Sequence, residues 1–201
     1  MKLYRLLILV VLLSAGCGED APRLSELSED AVIVAFGDSL TRGTGAGNGE
    51  SYPDVLARLS GRKIVNEGIP GEQTPAGLAR LERVLDTHQP ALLLLCHGGN
   101  DMLRKKSLAT AQANIETMIA QARERGIEVV LLGVPEPGIF LSTADFYHDI
   151  AERTGVPLIA DTIADVLGEA ELKSDPVHPN ALGYARIAEN VHAALIDYGA
   201  L

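Results

Sequence analysis

The stretch AVIVAFGDSLTRGTGAG, residues 31–47, decides the fold, because it joins an apolar run directly to a glycine-rich polar loop. Residues 31–36 are all apolar, a pattern typical of a strand that is covered on both faces of a parallel sheet. Ser39 stands at the head of the loop that follows. Two interpretations of this serine are open at this point: a turn or helix-cap residue, or a nucleophile held above the edge of a sheet.

Outward from this stretch, apolar runs alternate with helical patterns. Further strands are predicted at 63–67, 91–97, 127–134 and 157–160. Helices are predicted at 52–60, 76–87, 108–125, 143–154, 162–167 and 180–197, the last with Asn180 as its cap. This alternation predicts one α/β domain in which a parallel sheet carries helices on both faces. Ligands bind such sheets beyond the carboxyl ends of the strands, so the loops after the strands should carry the chemistry.

Residues suited to acyl transfer occupy those loops. Gly71 lies in the loop after the second predicted strand, and Asn100 follows two glycines after the third. A backbone N–H at such a glycine and a side-chain amide can both donate to a developing oxyanion. Asp175 and His178 stand three residues apart in a proline-containing loop before the last helix, where the carboxylate can orient the imidazole. Each residue alone also fits a turn or a cap; together they favour nucleophilic catalysis.

These motifs resemble those of the GDSL, or SGNH, hydrolases, and especially the bacterial subgroup of arylesterase, thioesterase I and lysophospholipase L1. The family's first, third and last blocks match FGDSLTRGTGAG, GGND and DPVHPNALGYARIA, and the glycine of the second block falls on Gly71. The resemblance covers about residues 31–197. It implies a flavodoxin-like three-layer sandwich, with a five-stranded parallel sheet of order 2-1-3-4-5 and helices on both faces.

The resemblance also implies a role for each residue. Ser39 is expected to be the nucleophile, His178 the general base and then the general acid, and Asp175 the residue that orients the imidazole. The backbone N–H groups of Ser39 and Gly71 and the side-chain amide of Asn100 are expected to form an oxyanion hole. The expected activity is hydrolysis of acyl esters or thioesters of small molecules or lipids, through an acyl-serine intermediate and with neither metal nor organic cofactor.

Three other functions remain open. A carbohydrate acetyl esterase would use the same site. A metal-dependent phosphoesterase would draw its ligands from the side chains Asp38, His97, Asn100, Asp101 and His178, whose types suit divalent metals. That function would leave Ser39 and Gly71 without a role, and His97 after an apolar strand is also typical of a hydrogen-bonded structural imidazole. A non-catalytic lipoprotein could bind an envelope partner on the same fold.

The N-terminus carries the pattern of an export signal. Residues 1–16 combine a basic start, an uncharged apolar run and small residues, which predicts a signal peptide. The residues up to Cys17 resemble a bacterial lipobox, with Ser14 departing from the usual leucine, so lipidation of Cys17 is expected; the alternative is an ordinary secretory signal. Residues 17–30 are predicted to be the lipidated cysteine and an acidic tether, and 31–201 the hydrolase domain.

Composition limits the partners. The chain has 17 Lys and Arg against 27 Asp and Glu, a formal net charge of −10, which argues against binding nucleic acid. The expected membrane contact is the lipid anchor, and the expected oligomeric state is a monomer. Gly18 rather than aspartate follows Cys17, so in a Gram-negative cell we expect anchoring in the outer membrane, facing the periplasm.

Overall fold

Five parallel strands form the central sheet in a computed structural model that describes residues 23–138 and 141–201. The strands are β1 (Val32–Gly37), β2 (Lys63–Gly68), β3 (Leu92–Cys96), β4 (Glu128–Leu132) and β5 (Leu158–Ile159). Their order across the sheet is β2-β1-β3-β4-β5. The predicted α/β fold and the strand order implied by the family resemblance are therefore confirmed.

Helices cover both faces of the sheet. The described residues form α1 (Ser39–Arg42), α2 (Tyr52–Ser60), α3 (Thr74–His88), α4 (Gly99–Leu103), α5 (Leu108–Glu124), α6 (Asp145–Thr154), α7 (Thr162–Gly168) and α8 (Ala181–Asp197). Helices α2, α7 and α8 pack together, and α3, α5 and α6 form the other group. The predicted cap of α8 is confirmed, since the Asn180 side chain accepts a hydrogen bond from the Gly183 N–H at 3.1 Å.

The two central strands bring the loops of interest side by side. All residues of β3 are buried, and β1 is buried from Ile33 to Gly37, because both strands are covered by helices on two faces. The register pairs Ile33 with Leu92 and Gly37 with Cys96. A Cβ at Gly37 would lie 2.1 Å from the Cys96 carbonyl oxygen, so only glycine fits this close approach. The loops that follow β1 and β3 consequently start next to each other.

Three short elements are absent from the sequence-based prediction. Helices α1 and α4 have four and five residues, and a 3₁₀ turn spans Ala170–Leu172. Elements this short contain too few residues to show a helical period in the sequence. Both short helices directly follow a central strand, and they carry Ser39 and Asn100. Strand β5 is reduced to two residues, against four predicted.

Part of the predicted tether is packed against the domain. The N–H groups of Leu24 and Leu27 donate to the carbonyl oxygens of Tyr198 and Ala200 at 2.9 and 3.0 Å, and the Leu27 side chain is buried in the core. The folded domain thus begins before residue 31, where the sequence-based boundary lay. The predicted signal peptide, 1–16, and Cys17 lie outside the described residues. Within the described ranges, none of the helices combines the length and the apolar character needed to cross a membrane.

Candidate active site

Ser39 is presented at the carboxyl edge of the sheet by the turn that ends β1. Asp38 caps the short helix α1, because its Oδ1 accepts a hydrogen bond from the Leu40 N–H at 3.0 Å. Gly43 ends that helix after one turn, in the left-handed region at φ 91°. The serine is partly exposed, whereas Asp38 and Leu40 on either side are buried. Its hydroxyl therefore faces the loops that follow the other strands.

A hydrogen-bonded relay joins Ser39 to two residues near the C-terminus. His178 Nε2 lies 3.0 Å from Ser39 Oγ, and His178 Nδ1 lies 2.7 Å from Asp175 Oδ2. The other carboxylate oxygen, Oδ1, accepts the N–H groups of Val177 and His178 at 2.8 and 2.9 Å. Burial would raise the pKa of Asp175, but the hydrogen bonds from His178 and Val177 outweigh it and hold that pKa below its ordinary value.

The ionised carboxylate determines the tautomer of the imidazole. A carboxylate without a proton can only accept, so the hydrogen on His178 belongs on Nδ1, where it is donated to Asp175. Nε2 then carries a lone pair and accepts the Ser39 O–H. This is the arrangement in which an imidazole can remove a proton from a serine hydroxyl.

The loop that carries Asp175 and His178 is fixed against the start of α8. Lys173 and Pro179 form an isolated antiparallel bridge, and the Ser174 N–H donates to the His178 carbonyl at 2.9 Å. A Cβ at Gly183, in the first turn of α8, would lie 2.1 Å from the Leu172 carbonyl oxygen. The glycine thus lets the helix approach closely enough to hold the loop in place.

Three hydrogen-bond donors face the same cleft as the relay. Gly71 has a positive φ of 77°, which glycine adopts without strain. Among the described residues, the backbone N–H groups of Ser39 and Gly71 donate to no other group. The Asn100 amide donates one hydrogen to Asp38 Oδ2 at 2.8 Å, which leaves its second hydrogen available. The structure therefore brings all five predicted site residues to one cleft, lined by Ser39, Gly71, Asn100 and His178 with Asp175 directly behind His178.

Asp38 has a contact that sequence reasoning missed. One carboxylate oxygen of Asp38 holds the turn around Ser39 by accepting the Leu40 N–H. Its second oxygen also orients the Asn100 amide. Burial raises the pKa of Asp38, and the charge of His97 and the hydrogen bonds from Leu40 and Asn100 offset part of this rise. The strand order implied by the family resemblance could have predicted this contact. It places β1 beside β3, which brings the residues after the two strands within reach of one another.

The cleft is largely apolar. It has a volume of about 390 Å³. Its apolar lining comes from Leu40, Pro70, Leu103, Val134, Pro135, Pro137, Leu141, Leu167, Pro176 and Val177. The one acidic side chain on its wall besides Asp38 is Glu136, counting only the residues that the structure describes. A hydrocarbon group suits such a lining better than a polyhydroxylated sugar does, because buried hydroxyls need hydrogen-bond partners.

The side chains considered as metal ligands are committed to other contacts. Asp101 accepts the backbone N–H and the hydroxyl of Thr74, both at 2.9 Å. His97 is fully buried and its Nε2 lies 3.1 Å from Glu72 Oε2, which agrees with a structural imidazole. No group of three or more His, Cys, Asp or Glu side chains with metal-binding spacing occurs in the part of the chain that the structure covers. The phosphoesterase alternative therefore gains no support from the geometry.

Comparisons with known proteins agree with this site. A family model described as the GDSL-like Lipase/Acylhydrolase family matches residues 35–186. The esterase TesA of Pseudomonas aeruginosa is 30% identical over 185 residues, which cover 86% of this chain and 91% of that protein. An arylesterase of Vibrio mimicus is 31% identical over 185 residues, covering 87% of this chain and 92% of that protein.

Solved structures show the same architecture. The crystal structure of TesA aligns with a TM-score of 0.75 at 27% identity, covering 83% of this chain and 99% of that chain. AlinE4, described as an SGNH-hydrolase family esterase, aligns with a TM-score of 0.66 at 34% identity, covering 86% of this chain and 96% of that chain. The family match extends over more than half of the sequence and includes Ser39, Gly71, Asn100, Asp175 and His178. The chain belongs to the GDSL-like lipase/acylhydrolase family.

Proposed function

We propose that this chain is a serine esterase that hydrolyses acyl esters or thioesters through an acyl-Ser39 intermediate. The observation that carries the proposal is the relay from Ser39 Oγ to His178 Nε2 at 3.0 Å and from His178 Nδ1 to Asp175 at 2.7 Å, at an apolar cleft. The relatives named esterase TesA, arylesterase and thioesterase 1/lysophospholipase L1 support the same class of reaction.

The first half-reaction is acylation. His178 Nε2 takes the proton of Ser39 as Oγ attacks the substrate carbonyl carbon, and Asp175 stabilises the resulting imidazolium. The carbonyl oxygen becomes an oxyanion, which accepts hydrogen bonds from the N–H groups of Ser39 and Gly71 and from the Asn100 amide. Donors fixed in advance cost no reorganisation, and each is worth about 3–4 kcal/mol in comparable sites. When the tetrahedral intermediate collapses, the imidazolium gives its proton to the departing alcohol or thiol.

The second half-reaction is hydrolysis of the acyl-enzyme. Water attacks the ester carbonyl of acyl-Ser39 while His178 Nε2 takes its proton, and the same three donors hold the second oxyanion. Collapse returns the proton to Ser39 Oγ and releases the carboxylic acid. Both half-reactions balance with groups of this chain and water alone.

Among the possible substrates, the cleft favours those with an apolar acyl group. Leucine and proline side chains form most of its apolar lining, which suits aryl and alkyl esters, acyl thioesters and lysophospholipids better than sugar acetates. Every group of the proposed site comes from one chain, so the reaction needs no second copy, and we propose that the protein acts as a monomer.

Ester hydrolysis by the purified protein tests the proposal. We expect turnover of p-nitrophenyl esters, compared from acetyl to palmitoyl, and no change of rate on addition of a chelator. A phosphonate ester that reacts with active-site serines should inactivate the enzyme, and mass spectrometry should find the label on Ser39. A label on another residue, or inhibition by the chelator, would contradict the serine mechanism. The acyl length with the highest kcat/KM identifies the preferred substrate class.

We also propose that residues 1–16 are removed and that Cys17 is lipidated, which would place the domain on the envelope, in a Gram-negative cell on the periplasmic face of the outer membrane. The support is the sequence pattern up to Cys17. Residues 24–27 pack against the end of α8 and against Glu128 at the start of β4, at the edge of the sheet opposite Ser39. Helix α8 has 17 residues and so spans about 25 Å between the two edges. An anchor there would leave the cleft open to diffusible esters.

Cell fractionation tests the anchor. The full chain should sediment with membranes and be released by detergent but not by high salt, since acyl chains and not charges hold it. The variant Cys17→Ala, with Cys96→Ala as the matched control for loss of a cysteine, should appear in the soluble fraction. A wild-type protein found in the soluble fraction would show that the signal is an ordinary secretory one.

A further inference from the structure

A buried ion-pair cluster lies directly beside Gly71 and takes no part in the reaction described above. Its members, here called the Glu72 cluster, are Glu72, Arg80 and His97. Arg80 Nε and one terminal nitrogen donate to the Glu72 carboxylate at 2.8 and 2.7 Å, and His97 Nε2 lies 3.1 Å from the same carboxylate. Glu72 lies in the loop after β2, Arg80 lies on α3 and His97 follows β3, so one carboxylate is held from two other parts of the chain.

Arg80 connects this cluster to the ends of two strands. The terminal nitrogen Nη2 of Arg80, which binds Glu72, also donates to the carbonyl oxygens of Glu67 and Gly37, at 2.8 and 3.3 Å. Its guanidinium carbon lies 4.0 Å above the centre of the Phe36 ring. The planar guanidinium thereby uses several of its donors at once, which the point charge of a lysine cannot do. The cluster fixes the Gly71 loop relative to β1, the strand that presents Ser39.

The helix α3 is shaped to admit His97. A Cβ at Gly77 would lie 2.3 Å from His97 Nε2, so this glycine, in the first turn of α3, makes room for the imidazole. The carboxylate accepts the hydrogen on Nε2, and Nδ1 has no partner among the described residues. Glycine within a helix and an unpartnered buried nitrogen are both unfavourable for stability. The contact between the His97 imidazole and Glu72 is therefore present despite two features that lower the stability of the fold.

Stability alone does not account for the cluster. Burying ions is costly, and well-packed apolar residues of similar volume serve a core at least as well. Burial would raise the pKa of Glu72, but the hydrogen bonds and charges of His97 and Arg80 outweigh it and lower that pKa, so the carboxylate stays ionised at neutral pH. The charged arrangement thus persists under the conditions of catalysis.

The Gly71 peptide is the group that this arrangement constrains. Before it, the Ile69 N–H donates to the Gly37 carbonyl at 3.0 Å; after it, the Glu72 N–H donates to the Ile69 carbonyl at 3.2 Å. The Gly71 carbonyl accepts from Arg104 at 3.2 Å. Glycine at φ 77° has wide conformational freedom of its own, so the direction of its N–H depends on how the neighbouring residues are held.

We propose that Glu72 is a positioning residue for the ester hydrolysis: held by Arg80 and His97, it fixes the Gly71 peptide so that its N–H points at the oxyanion before substrate arrives. This inference rests on the proposed function, in which Gly71 is an oxyanion donor. A donor that must reorient during the reaction stabilises the transition state less than a fixed one does. Loss of the cluster should then weaken binding of the transition state and leave binding of the substrate little changed.

The substitution Glu72→Gln tests this, with Glu82→Gln as the matched control. Glu82 is an exposed glutamate on the same helix as Arg80, and it pairs with Arg125 at 2.8 Å. We expect Glu72→Gln to lower kcat on a p-nitrophenyl ester by about 10- to 100-fold, with KM changed by less than about threefold. Affinity for a trifluoromethyl ketone, whose adduct with Ser39 carries an oxyanion, should fall in parallel with kcat/KM. Glu82→Gln should change neither, and Glu72→Asp should recover part of the loss.

A double variant separates positioning from folding. Glu72→Gln combined with Arg80→Met removes the buried carboxylate together with the guanidinium that pairs with it, so its Tm should recover relative to either single variant. The kcat should stay low, because the Gly71 loop is still not held. If Glu72→Gln alone does not fold, the kcat and Tm of the double variant test the proposal in its place.

Two results would overturn the inference: kcat returning together with Tm in the double variant, or wild-type kcat and inhibitor affinity in Glu72→Gln. Either could occur while Ser39→Ala is inactive, so the inference can fail and leave the proposed function standing. If the wild-type protein does not hydrolyse esters at all, the proposed function itself has failed.

Discussion

Replacement of Ser39 by alanine should lower kcat/KM for a p-nitrophenyl ester by about 10⁴-fold or more, as expected when an acyl-transfer enzyme loses its nucleophile. The substitution removes the only atom that can form the acyl bond and the donor to His178 Nε2, 3.0 Å away. The backbone N–H of residue 39 remains, so the oxyanion donors and the cleft should stay intact. The measurement is initial rate against substrate concentration for both proteins, with the Tm recorded for each.

The matched control is Ser25→Ala. Ser25 Oγ donates to Glu128 Oε1 at 3.0 Å at the opposite edge of the sheet, so this variant loses a serine hydroxyl far from the cleft. Its kcat/KM should equal that of the wild type. If Ser39→Ala keeps more than about a tenth of the wild-type rate, Ser39 serves only as the first residue of a helical turn, and hydrolysis must proceed without an acyl-serine intermediate.

Much of this site could be predicted because its elements are local. The strand that ends at Gly37 is an uninterrupted apolar run, and the turn after it is marked by glycine, aspartate and serine. Asp175 and His178 are three residues apart, so their hydrogen bond needs only a tight loop. The position of both groups at one edge follows from the parallel arrangement of the strands, which the alternation of strands and helices predicts.

The order of the strands has a different source. Apolar runs show that β1, β3 and β4 are buried, but they do not show which strand lies beside which. The resemblance to a family provided the order that puts β3 next to β1. With that order, Asn100 falls beside Asp38, and the two side chains hydrogen-bond across 62 positions of sequence.

The contacts of the Glu72 cluster could not be predicted from the sequence. His97 was interpreted as a structural imidazole, which its contact with Glu72 supports, yet nothing near it in sequence identifies a partner 25 residues away. Arg80 lies on a helix whose periodicity predicts an ordinary amphipathic element. Its contacts depend on the separation between α3 and the sheet, which Gly77 reduces locally. Such contacts are set by packing distance and side-chain conformation, and neither is visible as a pattern of residue types.

Replacement of Asp175 by asparagine should lower kcat by about 10³- to 10⁴-fold with little change in KM, because it imposes the wrong tautomer on His178. Asp175 Oδ1 accepts two backbone N–H groups, from Val177 and His178, so the asparagine oxygen should keep that place. The amide NH₂ then faces His178 Nδ1, where the carboxylate oxygen lay at 2.7 Å. An amide donor there forces Nδ1 to accept, which moves the imidazole hydrogen to Nε2, and Nε2 can no longer take the proton of Ser39.

The pH dependence of this variant distinguishes a tautomer defect from a simple loss of charge. In the wild type the pKa of Asp175 is held low, so the carboxylate remains ionised as pH falls, and protonation of Asp175 should not limit kcat/KM on the acid side. Activity should rise through neutral pH to an alkaline plateau. Asp175→Asn should stay defective on that plateau, where the imidazole is already neutral, because neutrality does not restore the hydrogen to Nδ1.

The control is Asp86→Asn. Asp86 is an exposed aspartate on α3 that lies 3.1 Å from Arg125, away from the cleft, so this variant should follow the wild-type profile. A defect in Asp175→Asn that vanished at alkaline pH would mean that Asp175 acts only by favouring the charged imidazole, and the orientation of the relay would then have to come from the loop alone.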